Sequence, residues 1–244
     1  MSIDHPEELA ALQAAGRAVA EAIREMSRRV RPGVTTKELD DVAARVFASH
    51  GARSGPQLDY DFPGTACISV DDEAVHGIPG PRRLRDGQLV KLDVTAELAG
   101  YYADACRTVP VGRVRGREQR LAAAAQSALR RGLEAATAGA SIGAIGAAVE
   151  TEVTRRGFSV CADLQGHGIG RRIHEEPDVP NVAWDGPPLT DGLVITVEPI
   201  IAAGLGDVYM DEDGWTVRTE DGSPSAHAEH TIVVTQGAPI LVTA

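Results

Sequence analysis

The sequence predicts an α+β fold in which two related halves lie around one sheet. Helical patterns occur in two pairs, strand-like runs follow each pair, and three short motifs return in the same order later in the chain. Because no linker-like stretch separates the halves, we expect one domain over residues 1–244, with halves of about 7–112 and 117–235.

Composition narrows the class of protein. The net charge of −11 disfavours a DNA-binding groove or an anionic membrane surface, since both need a basic face. No apolar run approaches the roughly 18 residues of a membrane span, and the acidic N-terminal stretch does not resemble a secretion signal. The 3 cysteines are isolated, which is typical of a reducing compartment. We therefore expect a cytoplasmic protein.

The first half begins with two helices. Apolar residues between positions 9 and 23 follow helical spacing, and Asp4 is the expected N-cap. Thr35 and Glu38 have the spacing of a capping box, which predicts the start of a second helix there. Gly51 is expected to end it.

The strands of the first half include a strong hairpin pattern. A loop through Gly55 leads to a short predicted strand over residues 65–70. Residues 89–94 form an apolar, β-branched run, and residues 101–109 are predicted to return as its partner after a turn at Gly100.

The second half repeats this order. Helices are predicted over residues 117–133 and 141–156, and Gly157 is expected to end the second one. Strand-like or glycine-rich segments then occupy residues 158–160, 166–170, 193–201, 216–219 and 231–235.

Three pairs of motifs relate the two halves. The matching segments are 32–36 with 138–142, 75–79 with 173–177, and 86–93 with 191–198. In the third pair, Asp93 and Glu198 each follow the Asp of an Asp-Gly turn by seven residues. We expect these two carboxylates to face a shared centre.

Several acids stand in apolar strands and predict a metal site. The candidates are Asp93, Asp104, Glu198 and Glu229, together with His167 in a glycine-rich segment. One such acid is more often a structural partner of an arginine, but four without matching buried cations are not explained that way. Carboxylates and an imidazole suit Mn, Fe(II) or Co, and bridging carboxylates hold two ions about 3.5–4 Å apart.

At these residues the chain resembles the type I methionine aminopeptidases, a family of pita-bread metallopeptidases. The resemblance extends from about Glu7 to Val234. It is carried by His76-Gly77-Ile78-Pro79, Leu92-Asp93-Val94-Thr95, Gly100 with Asp104 and Thr108, Gly166-His167-Gly168-Ile169-Gly170, His174-Glu175-Glu176-Pro177, Val197-Glu198-Pro199, Asp213-Gly214-Trp215-Thr216 and Glu229-His230-Thr231.

The resemblance implies a fold, an activity and a cofactor. The fold has two pseudo-symmetric halves around one curved antiparallel sheet. The enzyme would remove the N-terminal methionine of nascent proteins whose second residue is small, using hydroxide activated by two divalent ions. Its five metal ligands would be Asp93, Asp104, His167, Glu198 and Glu229.

The same resemblance implies roles for other side chains. His76 would contact the scissile amide, His174 would stabilise the tetrahedral intermediate, and Glu198 would move the proton to the leaving amine. The methionine pocket would include Phe62, Cys67 and Trp215. Departures from the usual cysteine or aromatic residues, which bear on how strictly the pocket selects methionine, occur at Pro56, Asp59, Val75 and Ile173.

His227 is a further departure. It precedes Glu229 by two residues, so both side chains point to one face of a strand. Family members more often carry Gln there. We expect His227 to support the metal ligands, either as a neutral hydrogen-bond donor in place of Gln or as a charge that tunes the site.

Partners and alternatives follow from the resemblance. We expect a monomer that acts on N-terminal Met peptides and nascent chains and that can contact the ribosome transiently. One alternative is a proline-directed enzyme like aminopeptidase P or prolidase, which usually carry an extra N-terminal domain. Another is a pita-bread protein that only binds, which should have lost metal ligands.

Overall fold

The computed structural model describes residues 1–114 and 116–244 and contains two helix pairs and one short helix. The helices in this part of the chain are α1 (Pro6–Ser27), α2 (Thr36–His50), α3 (Gly55–Tyr60), α4 (Arg117–Ala135) and α5 (Gly143–Arg155). The predicted long helices are therefore confirmed within about two residues at each end, whereas α3 replaces a predicted loop.

Short strands make up the rest of the framework. They are β1 (Arg53–Ser54), β2 (Cys67–Val70), β3 (Glu73–Val75), β4 (Leu89–Leu98), β5 (Tyr101–Pro110), β6 (Ser159–Val160), β7 (Gly166–Gly168), β8 (Glu175–Val179), β9 (Val194–Val197), β10 (Ile200–Ala202), β11 (Val208–Met210), β12 (Val217–Thr219), β13 (Ser225–His227), β14 (His230–Val233) and β15 (Ile240–Leu241).

The strands pair antiparallel in four hydrogen-bonded groups. One group has the order β1-β4-β2 with β5 on the other side of β4, and the largest has the order β15-β14-β9-β7-β8. The two remaining groups are β13-β10-β6 and β11-β12-β3. A bridge between Arg107 and Ala228 joins the β4–β5 hairpin to the segment between β13 and β14.

The ends of the first helix pair follow capping rules. Thr35 accepts from the backbone N–H of Glu38, whose carboxylate accepts from the N–H of Thr35, so the predicted capping box is confirmed. The predicted cap at Asp4 is wrong by one residue. His5 occupies the N-cap position, because the side chain of Glu8 accepts hydrogen bonds from the backbone N–H groups of both Asp4 and His5.

The helices cover the strands with two large apolar clusters. α1 lies against β4 and β5, and its buried residues join the first cluster with α2 and the hairpin. α4 packs on α5 and on β9, β10 and β13, where the second cluster lies. Burial of these apolar faces stabilises the helices against the strands. Across the described residues, no helix is both long and apolar enough to cross a membrane.

The hairpin fixes the first two acids. Its two-residue turn has φ values of 52° at Ala99 and 84° at Gly100, the positive values that a tight hairpin turn needs. The resulting register pairs Thr95 with Asp104, two positions along from Asp93. Both carboxylates consequently point to the same face of the sheet.

The later strands bring the other acids to that face. Glu198 lies between β9 and β10, where Pro199 cannot donate to a strand ladder and interrupts the single predicted strand. The N–H of Glu229 donates to the carbonyl of Cys106 at 3.0 Å. Thr231 bonds both backbone groups of Asp104 at 2.8 Å, so β14 is joined to β5 beside the acids.

Candidate metal centre

Every site residue that the sequence predicts lines one cavity of about 460 Å³. The cavity is enclosed by the hairpin, the segment before β2, the β7 region and the strands near Glu198 and Glu229. The predicted residues among its walls are Phe62, Cys67, His76, Asp93, Asp104, His167, His174, Glu198, Trp215, His227 and Glu229.

The hairpin acids lie in a poorly solvated setting. Thr95 donates to Oδ2 of Asp104 at 2.7 Å, whereas the buried Oδ1 has no partner among the described residues. Burial raises the pKa of Asp104 to about 6. Burial also raises the pKa of Asp93 well above its usual range, and the neighbouring carboxylates of Asp104 and Glu198 raise it further.

The acids of the second half are equally constrained. Thr196 donates to Oε1 of Glu198 at 2.8 Å, while Oε2 of Glu229 is buried without a partner among the described residues. Burial is the main cause that raises the pKa of both carboxyls, and repulsion from Asp104 adds to it. Four carboxylates that line one buried cavity cannot all be ionised unless a cation lies among them.

His167 is oriented as a ligand would be. Its Nδ1 lies 2.8 Å from the carbonyl oxygen of Gly168, which places the proton on that nitrogen. The lone pair on Nε2 then faces the acids, 3.4 Å from Oε1 of Glu198. Burial lowers the pKa of His167 to about 3, so the ring is the neutral form that binds metals.

His227 lies inside the same cluster. The ring is 2% exposed, and Nε2 is 3.6 Å from Oε2 of Glu198 and 3.7 Å from Oε2 of Glu229. Burial lowers its pKa to about 3, and His76 and Lys91 act in the same direction. The sequence placed His227 on the face of Glu229, and the cavity wall includes both side chains.

These donors fit divalent metal ions. Potential ligand atoms lie within 4.8 Å of one another in two groups, Asp104-His167-Glu229 and Glu198-His227-Glu229, which share Glu229. Asp93 lies beside them on the hairpin. Buried carboxylate oxygens that lack partners among the described residues and lie close to imidazole nitrogens are satisfied by a cation and by little else.

Two more histidines lie at the mouth of the cavity. His174 is exposed there, with its ring centroid 4.2 Å from that of His167. Nδ1 of His174 is 2.6 Å from the hydroxyl of Tyr60. His76 is also exposed. Its φ of 57° is unusual for a residue other than glycine, and this backbone conformation sets the direction of a side chain that lines the cavity.

The remaining wall is apolar. Phe62 and Trp215 meet edge to face with ring centroids 5.2 Å apart. Of the positions that departed from the family pattern, Pro56, Val75 and Ile173 also line the cavity. Asp59 does not belong to that lining, since its carboxylate accepts from the hydroxyl of Tyr102 and the N–H of Ile173.

Three residues that line the cavity, Tyr60, Thr95 and Met210, are not among the predicted site residues. Tyr60 lies on α3, where the sequence pattern predicts a loop, and no local pattern indicates that its hydroxyl meets a histidine 114 residues later. Met210 also lines the cavity from a strand that the sequence did not predict. Thr95 was quoted only within a motif, although its position two residues after Asp93 placed it on the same face.

A buried set of carboxylates and imidazoles beside an apolar cavity defines a metal-dependent hydrolase site. The sequence model of metallopeptidase family M24 matches residues 10–236 of the chain. The chain therefore belongs to metallopeptidase family M24, and its fold is the α+β pita-bread fold expected from the sequence.

Relatives match the chain over its full length. Methionine aminopeptidase 2 of Bacillus subtilis is 41% identical over 247 residues, covering 100% of this chain and 99% of that protein. The crystal structure of methionine aminopeptidase from Rickettsia prowazekii superposes with a TM-score of 0.95 at 38% identity and covers 100% of both chains. Prolidase from Pyrococcus furiosus shares the fold, with a TM-score of 0.81 at 22% identity over 65% of that protein.

Proposed function

We propose that this chain is a methionine aminopeptidase that removes the N-terminal methionine of proteins whose second residue is small. The single observation that carries the proposal is the cavity itself, in which carboxylate and imidazole donors lie beside an apolar wall. Full-length relatives that bear this name support it. We further propose two divalent ions (Co, Mn or Fe(II)), nascent chains as substrates and a cytoplasmic location.

The metal ligands in this proposal are five residues that meet in the cavity: Asp93, Asp104, His167, Glu198 and Glu229. When bound, divalent ions supply Lewis acidity and lower the pKa of water. Glu198, whose buried carboxyl lines the cavity beside the other acids, would carry a proton to the leaving amine.

His174 stabilises the negative charge that develops on the substrate oxygen. Burial raises the pKa of Tyr60, so its hydroxyl keeps its proton and donates to Nδ1 of His174. The ring proton of His174 then resides on Nε2, where it donates to the oxyanion. His76 contacts the scissile amide from the same cavity mouth.

The apolar wall selects the methionine side chain. Phe62, Cys67 and Trp215 are joined there by Met210 and Ile173, all of which offer apolar or sulfur surface. A flexible thioether packs well on aromatic edges and other sulfur-containing residues. This composition supports methionine over a charged first residue.

Hydrolysis of short peptides by metal-loaded protein tests the proposal. We expect release of free methionine from a Met-Gly-x peptide after incubation with Co²⁺ or Mn²⁺, and none after chelation. An x-Pro peptide is the matched substrate for the proline-directed alternative. Faster cleavage of the x-Pro peptide would favour that alternative, and no cleavage of either peptide by metal-loaded protein would favour a binding protein.

A further inference from the structure

His227 is a polar side chain in the cavity that no hydrogen bond explains. Within the part of the chain that the structure describes, neither of its buried ring nitrogens has a partner. A buried imidazole that loses water without a replacement is unfavourable, so such groups usually interact with something else.

The backbone holds the ring in place. The hydroxyl of Thr108 donates to the carbonyl of His227 at 2.7 Å and accepts from its N–H at 2.8 Å. On the other side, His227 pairs with Ile200 in the β10–β13 ladder. The ring therefore projects from a strand that is fixed on both sides, towards the acids.

The distances around Nε2 are close to those between ligands that share an ion. At 3.6 and 3.7 Å from oxygens of Glu198 and Glu229, the nitrogen is too far away for a hydrogen bond. Two atoms that each lie about 2.1 Å from one metal ion, at an angle between 109° and 120°, are about 3.4–3.6 Å apart. Oε2 of Glu229 is itself buried and has no hydrogen-bond partner among the residues that the structure describes.

We propose that His227 is a direct metal ligand, through Nε2, to the ion held by Glu198 and Glu229. The inference deepens the proposed function and rests on it, since it assigns one more ligand to the same centre. Each of the two ligand groups then contains one imidazole, His167 in one and His227 in the other, with Glu229 shared.

A second imidazole changes which metals the centre prefers. Nitrogen donors favour Co, Ni and Zn over Mn and Mg, whereas carboxylates suit Mn and Mg. Replacement by Gln removes the nitrogen ligand and leaves an amide of similar size. His227→Gln is therefore expected to weaken Co²⁺ binding at one site and to leave Mn²⁺ binding nearly unchanged.

His230 provides a matched control. It is three residues further along the chain, and its Nδ1 lies 2.9 Å from the hydroxyl of Thr243. The half-buried ring of His230 does not line the cavity. His230→Gln removes an imidazole from the same segment without removing a donor from the centre.

The test counts ligand imidazoles directly. Full-length, metal-free protein is loaded with two equivalents of Co²⁺, and proton NMR records the ring N–H signals that the ion shifts far outside the normal range. Nδ1 of both His167 and His227 is buried, so their protons exchange slowly with water. We expect two such signals in the wild-type protein and in His230→Gln, and one in His227→Gln.

Equilibrium dialysis against Co²⁺ alone and Mn²⁺ alone gives a second measurement. We expect His227→Gln to lose at least about tenfold in Co²⁺ affinity at one site, given that even indirect partners of metal ligands are worth 10–100-fold. One shifted signal in wild-type protein that holds two Co²⁺ ions would overturn the ligand assignment, whatever the folding of the variants.

The outcomes also separate this inference from the proposed function. Two bound ions, cleavage of Met-Gly-x and a single shifted imidazole signal would reject His227 as a ligand and leave the aminopeptidase standing. Two shifted signals without methionine release would support the ligand and reject the activity. Protein that binds no Co²⁺ would overturn both.

Discussion

At the residue scale, the buried acids decide what the cavity can hold. Oδ1 of Asp104 and Oε2 of Glu229 lie away from water without protein partners among the described residues. In the absence of a cation their pKa values rise, to about 6 for Asp104 and well above the usual range for Glu229. A bound cation reverses that tendency and keeps both carboxyls ionised near neutral pH.

Asp104→Asn and Glu229→Gln are expected to abolish hydrolysis, because each removes a charged oxygen from the proposed metal centre. A loss of at least about a hundredfold in kcat/KM is expected, with less bound metal by elemental analysis. Asp40→Asn is the control, since Asp40 is a buried acid that accepts from the N–H groups of Thr65 and Ala66 instead. Wild-type turnover and metal content in either cavity variant would reject these ligands.

Tyr60→Phe tests the orientation of His174. Loss of the 2.6 Å contact with Nδ1 lets the imidazole proton distribute over both nitrogens, which weakens donation to the oxyanion. We expect a two- to tenfold lower kcat, about the value of one hydrogen bond, with little change in KM. Tyr209→Phe is the control, since Tyr209 is exposed and outside the cavity lining. An unchanged kcat in Tyr60→Phe would mean that other groups orient His174.

At the element scale, the packing of α4 on α5 contains a buried acid. Glu152 accepts from the hydroxyl of Ser127 at 2.6 Å and bonds both Arg155 and Arg156. The hydrogen bond from Ser127 is the largest cause that lowers its pKa to about 2, and the two arginines add to it. This cluster joins the second helix pair behind β9 and β10.

Glu152→Gln should therefore destabilise the fold in a pH-dependent way. The folded pKa lies below the ordinary value of 4.5, so the contribution is complete above about pH 4.5 and is lost as the pH falls towards 2. We expect a loss of about 1–2 kcal/mol at pH 7, limited because the side chain of Arg155 is 63% exposed.

Urea denaturation of metal-free wild type and Glu152→Gln at pH 7, 4 and 3 measures this difference. The acids of the cavity titrate in both proteins, so the difference between the two curves isolates Glu152. A gap that stays constant or grows as the pH falls would contradict the assigned role. Glu134→Gln is the control, because the side chain of Glu134 is 54% exposed and pairs with Arg131 on the same helix.

At the scale of the whole molecule, cavity size and the approach of a polypeptide set the substrate. If the first side chain of the substrate enters the cavity of about 460 Å³, the second residue lies near its mouth, where His76 and His174 are exposed. A long second side chain would compete with these rings for space. We therefore expect a preference for Gly, Ala or Ser at that position.

A peptide series Met-Ala-x, Met-Ser-x and Met-Lys-x measures that preference. We expect kcat/KM for Met-Lys-x to be at least about a hundredfold lower than for Met-Ala-x, equivalent to roughly 3 kcal/mol of transition-state binding. A Leu-Ala-x peptide is the control for selection of the first residue by the apolar wall of the cavity. Equal cleavage of Met-Lys-x and Met-Ala-x would show that the mouth does not select the second residue.

The sequence by itself determined the long helices, the β4–β5 hairpin and the chemistry of the candidate donors. The capping box at Thr35 and the hairpin turn at Gly100 depend on neighbouring residues, so their patterns can be read from a few positions. Acids in apolar strands likewise stand out locally, and Asp93 and Glu198 do line one cavity as their repeated motifs predicted. The two-halves division stays a prediction.

Only the tertiary structure decided which donors meet. Asp104 is fixed by Thr231, 127 residues away, and Tyr60 meets His174 across 114 residues. His227 lies among Glu198 and Glu229 because Thr108 and Ile200 hold its strand from both sides. Such contacts form between segments whose local patterns are independent, so their geometry comes from the packing of the strands and cannot be read from spacing.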